Sequence, residues 1–132
     1  VVENRLVDAI LQSAGAENSL RCAAAFRIAR GLDIDPLLVG EAADSLEVKL
    51  ARCQLGLFGY GPKAEGKHKI VEPADAVSDD LAQAIERREE GGRLPCRAAW
   101  DIAADLGVPK KKVSAAAEAM GIKIVRCQLG AF

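Results

Sequence analysis

The sequence predicts a mainly α protein with short β-hairpins, built as two copies of one small unit. Three observations carry that prediction. Aliphatic residues and alanine dominate an apolar half in which aromatics reach only 4 % of the chain, a mixture that packs closely and suits helices. Shifted by 74 positions, residues 22–58 fall on 96–132 without a gap, and 16 of those 37 pairs are identical. Within each copy the apolar residues recur at three- and four-residue steps before giving way to alternation. A length of 132 residues holds one ordinary domain or two very small ones. Two copies do not make a solenoid, which stacks three or more shorter repeats.

The elements follow in order. Leu6, Ala9 and Ile10 align with Leu81, Ala84 and Ile85 after a one-residue slip, giving each copy an opening helix. Ser78, Asp79 and Asp80 supply a hydroxyl cap and two acids at the start of the second of these, where a helix end carries partial positive charge. Cys22, Ala25, Phe26, Ala29 and Leu32 mark one face of the next helix, as do Cys96, Ala99, Trp100, Ala103 and Leu106. A break follows, DIDP in one copy and GVP in the other. Asp35 before Pro36 is a helix start, with an acid at the cap and proline at the first helical position. The third helix buries Val39, Ala42, Ala43 and Leu46, mirrored by Val113, Ala116, Ala117 and Met120, and Gly121 ends its second copy. VKLARCQLGLF and IKIVRCQLGAF then read as strands whose odd-numbered residues face the core: Ala51, Cys53 and Leu55, then Val125, Cys127 and Leu129. Glycine and proline crowd the stretch after Phe58, a hairpin loop, and KHKIVE (67–72) reads as a returning strand stopped by Pro73. The order per copy is helix, helix, turn, helix, strand.

Ile102-Ala103-x-x-Leu106-Gly107-Val108-x-x-x-x-Val113 resembles the helix-turn-helix signature of DNA-binding regulators. Ala103 lets the second helix approach, Gly107 permits a left-handed turn, and Leu106 and Val113 lock the crossing. With strands after the last helix, each unit is similar to a winged helix. Copy one departs from the pattern, since Asp33 stands at the Gly107 position and Asp35-Pro36 makes its turn longer and acidic. The resemblance implies two repeated winged helix-turn-helix units: residues 1–72 with a wing loop at 59–66, a linker at 73–77, and residues 78–132. Phe132 matches Phe58, so the second wing is incomplete, and its last strand must expose an edge, pair with a neighbour or continue further.

The same resemblance implies a set of DNA contacts. Lys110, Lys111 and Lys112 open the recognition helix of copy two, where lysines and the amide end of a helix meet phosphates, and Ser114 reaches a base or phosphate. Arg126 and Gln128 share one side of the last strand and extend that surface, while Lys63, Lys67, His68 and Lys69 form a wing tip over a phosphate backbone or minor groove. Each has a plainer alternative: the lysines as a solvated helix start, and the twice-repeated RCQLG as a structural element both copies need. The third helix of copy one begins Pro36-Leu37-Leu38 and carries Glu41 and Asp44. It repels a duplex and suits a protein surface.

Other chemistries find less support. Four cysteines occur without a C-x-x-C pair and with a single His, so no metal site is expected, and thiols on apolar faces act as small buried hydrophobes. The stretch from Gly61 to His68 misses the phosphate-cradling loop, because His68 replaces the required hydroxyl and KIVEP cannot form the following helix. Neither paired carboxylates nor a Ser/His/Asp set can be assembled, so no enzyme and no cofactor are expected. No apolar run is long enough for a membrane, and a net charge of −1 excludes binding to nucleic acid by bulk charge. The expected protein is a cytoplasmic, double-stranded-DNA-binding transcriptional regulator. Copy two reads the groove, while copy one or the strand edge supports a homodimer or a partner protein. The alternative is a non-enzymatic protein–protein adaptor of tandem winged helices.

Overall fold

A computed structural model describes residues 2–61 and 68–132. The chain is mainly helical, with three-residue strands. In the first half, α1 (Val2–Ala14) leads through a 3₁₀ turn (Gly15–Glu17) to β1 (Ser19–Arg21), α2 (Cys22–Leu32), α3 (Pro36–Ser45) and β2 (Lys49–Ala51). The second half repeats that order as α4 (Asp79–Arg88), β3 (Arg93–Pro95), α5 (Cys96–Leu106), α6 (Lys110–Ala119) and β4 (Lys123–Val125).

The expected punctuation is present. Asp35 accepts a hydrogen bond from the Leu37 N–H at 2.9 Å and starts α3, and Ser78 accepts from the Leu81 N–H at 3.3 Å and starts α4. Gly107 ends α5 in the left-handed region at φ 66°. Asp33, at the matching place in copy one, takes the same conformation at φ 54°, so the substitution leaves the turn intact. Aspartate tolerates this region better than most side chains do.

Strand pairing differs from expectation. Each copy carries a strand before its second helix, and it pairs in parallel with the strand after the third: Leu20 lies opposite Leu50, and Leu94 opposite Ile124. No antiparallel wing hairpin joins named strands among the described residues. One edge of β4 is met by β3 of its own copy, and its other edge pairs with no named strand among the described residues. RCQLG is not strand either. At Arg52 and Arg126 the backbone turns into the left-handed region, with φ 48° and 53°, and a tight loop follows. In it the Cys53 N–H donates to the Phe58 carbonyl (3.2 Å) and the Gly56 N–H to the Cys53 carbonyl (2.9 Å). Copy two repeats both bonds, Cys127 to Phe132 at 3.0 Å and Gly130 to Cys127 at 2.9 Å. The described part of the supposed returning strand, residues 68–72, is also without strand structure.

These loops cross between the copies. Leu129 packs with Ile10, Leu20, Ala25 and Val39 of the first copy, whereas Cys53 and Leu55 pack with Leu81, Ile85, Leu94 and Ile102 of the second. Phe26 and Trp100, expected as matching core anchors, meet each other with ring centroids 4.3 Å apart. Phe58 and Phe132 meet edge-to-face at 6.0 Å. Two pairs of repeat-equivalent aromatics in mutual contact place an approximate twofold axis through the middle of the chain. That exchange positions the site described next.

Candidate nucleic-acid interface

The site begins with an asymmetry between α3 and α6. In α3 the Leu37 N–H is occupied by the Asp35 carboxylate, whose negative charge also sits against the helix end. In α6 the residue before the helix is Pro109, with extended backbone and no capping side chain, so the amide end and its partial positive charge are left for an outside anion.

Around that end Lys110, Lys111 and Pro109 form a cleft of about 350 Å³ with Arg52, Gln54 and Tyr60 of the first copy. Tyr60 organises the cations. Its hydroxyl donates to the Cys53 carbonyl, with Lys111 Nζ 5.4 Å and the Arg52 guanidinium carbon 5.9 Å from its ring centroid. Lys110 Nζ lies 4.6 Å from the ring centroid of Trp100. The negative ring faces hold three positive groups near one another without neutralising them. Burial first, and then the neighbouring Cys53, hold the Tyr60 phenol above its ordinary pKa, so it serves as a neutral support. Tyr60 is half-buried rather than the exposed aromatic that its glycine neighbours suggest.

The remaining expected contacts sort differently. Lys112 is exposed on α6, one residue beyond the cleft. Ser114 is fully buried and its hydroxyl has no partner among the described residues, so it cannot touch DNA. Arg126 lies in another cleft, with Arg88 and Arg93, and Gln128 lines a third, beside Leu37 and Arg97, its amide 3.6 Å from Cys96 Sγ as that of Gln54 is 3.8 Å from Cys22 Sγ. Neither joins the lysines. Arg52 and Gln54, their counterparts in copy one, do so because the loops cross. Lys69 is held in an ion pair with Glu118 of α6, and His68 is half-buried, its carbonyl accepting from the Tyr60 N–H at 3.3 Å. Lys63 and Lys67 lie outside the described residues, as does most of the glycine–lysine stretch around them.

The chain also runs across the outer face of α6. Besides the Lys69–Glu118 pair, the Ala74 N–H donates to the Ala115 carbonyl at 3.0 Å. A helix covered in this way cannot enter a major groove unless residues 69–74 leave it.

The four cysteines are free thiols, three of them buried. Among the described residues, no group of His, Cys, Asp or Glu is placed to hold a metal. Burial pushes Cys22 up to about 11 and raises Cys53 and Cys96 as well. The unfolded chain gives up its thiol protons first as pH rises, so the stability from neutral burial is complete below the ordinary thiol range and is lost as pH approaches about 11. Urea midpoints are therefore expected to fall between about pH 8 and pH 10.5, and to fall less steeply in Cys22→Ala. A pH-independent midpoint would contradict thiol burial as the source.

No protein-family model, curated protein or solved structure matches this chain. No described helix is long and apolar enough to cross a membrane.

Proposed function

We propose that the protein is a non-enzymatic, double-stranded-DNA-binding regulator that grips the phosphate backbone through the cleft at the start of α6. The convergence of Arg52, Lys110 and Lys111 on an uncapped helix end carries the reading. Cations held on aromatic faces beside free amides suit a phosphate, and the exposed Lys112 extends the contact along the strand. The covered outer face of α6 argues for backbone contacts over base reading, so affinity depends weakly on sequence.

Fluorescence anisotropy on mixed labelled duplexes across a salt series tests this. Binding is expected to weaken with salt on a slope equivalent to about three to four phosphate contacts. Replacing Lys110, Lys111 and Lys112 together by alanine is expected to weaken binding by about tenfold or more and to flatten that slope. Equal binding by the triple variant would remove the cleft from the interface.

The adaptor reading keeps one observation of its own. Leu37 and Leu38 stand 43 % and 48 % exposed on α3, beside the exposed acids Glu41 and Asp44.

A further inference from the structure

The two crossing loops form the same groove twice, and the chain fills one of them itself. Beside Gly56, the Ile70 and Val71 N–H groups donate to the Gly56 carbonyl at 2.9 and 3.1 Å. Lys69 pairs with Glu118, and the Ala74 N–H reaches the Ala115 carbonyl. On the other side of the approximate twofold, Gly130 stands for Gly56, Asp44 for Glu118 and Glu41 for Ala115. There a groove of about 560 Å³ runs between Asp44 and Gly130, past Phe58. Among the described residues, Asp44 holds no ion pair and the Gly130 carbonyl accepts no hydrogen bond. Leu37 and Leu38 occupy the places of Lys111 and Lys112, and Leu37 lies directly over Gly130.

The geometry points to this groove as a docking site for an extended segment of a partner protein, carrying a lysine followed by two aliphatic residues. The lysine meets Asp44, the next two amides donate to the Gly130 carbonyl, and an N–H three residues further on meets the Glu41 carbonyl. That is how Lys69, Ile70, Val71 and Ala74 lie along α6. The differences between the grooves set the preference of the open one. Leu37, over Gly130, stands where copy two has Lys111, Glu47 lines the groove where copy two has Gly121, and Glu41 replaces an alanine, so it favours an apolar segment with basic side chains beyond the aliphatic pair. The site lies on α3, away from the basic cleft, and stands whether or not the protein binds DNA.

Two labelled peptides titrated with the full chain test this. One is HKIVEPADAV, the sequence of residues 68–77; the other carries Glu72→Lys and Asp75→Lys. The lysine-rich peptide is expected to bind saturably, and the parent to bind about tenfold more weakly. Asp44→Lys is expected to cost the lysine-rich peptide about tenfold in affinity, with an unchanged circular dichroism spectrum because the side chain is exposed. Equal affinity for both peptides, undiminished binding by Asp44→Lys, or no saturable binding of either would overturn the assignment. Sedimentation showing a dimer that Leu38→Glu disrupts would give the face to a second copy of this chain, and would overturn it equally.

Discussion

Gly40→Ala is expected to destabilise the protein by about 3 kcal/mol, at the upper end of the usual cost of overpacking. A Cβ on Gly40 would sit 1.8 Å from the Leu129 carbonyl oxygen and 2.7 Å from its carbonyl carbon. Neither is the tip of a flexible side chain. Both belong to the backbone of a loop closed by the Cys127-to-Phe132 hydrogen bond, so relief requires α3 and the loop to separate, which opens the core around Leu129. Helix propensity pulls the other way by about 1 kcal/mol, since alanine is a better helix former than glycine. The clash wins because backbone atoms cannot rotate out of it. Gly31→Ala, on the exposed part of α2, is the matched control. Its Cβ meets nothing within 4 Å, and a gain of about 0.5–1 kcal/mol is expected. Urea denaturation of the two variants should therefore shift midpoints in opposite directions. A Gly40→Ala protein as stable as the parent would show that the loop does not bear on α3 as described.

The repeat made much of this fold legible, and the same repeat concealed the rest. Helix starts at Asp35 and Ser78 were readable because a cap is a local event: one side chain, one or two amides. The turn between the second and third helices was readable from Gly107. Asp33 keeps its logic in copy one, and Glu47 after the third helix and Asn18 before β1 do the same at two further turns, the three taking left-handed φ of 54°, 58° and 54° where copy two has Gly107, Gly121 and Gly92. Strands β1 and β3 are not legible in the sequence, because three residues carry no measurable alternation and their parallel partners lie 30 residues away. RCQLG alternates as a strand does, and its odd-numbered members Cys53, Leu55 and Leu129 are buried, but the burial belongs to a closed loop. Which core each loop enters was not readable, because two identical sequences have identical local preferences and only the three-dimensional arrangement distinguishes them. That ambiguity bears on the candidate site: the lysines are legible in the sequence, whereas only the fold shows that the loop beside them carries Arg52 and that Arg126 lines another cleft. Ser114 offered a signal in retrospect, since its counterpart is Gly40 and a glycine inside a helix marks a close approach.

Leu129→Ala is expected to cost about 2–4 kcal/mol, the range for deleting a buried leucine side chain, and to do its damage in the copy that does not contain it. Leu129 is 2 % exposed and belongs to the cluster of Ile10, Leu20 and Val39, whereas Leu55 is fully buried among Leu81, Ile85 and Leu94. A cavity is felt first by the side chains that line it. Amide hydrogen exchange in Leu129→Ala should therefore accelerate most in α1, β1 and α3, and in Leu55→Ala most in α4, β3 and α6. Because each core borrows a leucine from the other copy, neither can come apart without loosening its neighbour. The unmodified chain should accordingly unfold in one transition, with helix and aromatic signals coincident. Acceleration confined to the elements of the mutated copy would mean that each loop serves its own core, and the crossed packing would have to be abandoned. The basic cleft falls under the same test, because Arg52 reaches Lys110 and Lys111 only through that crossing.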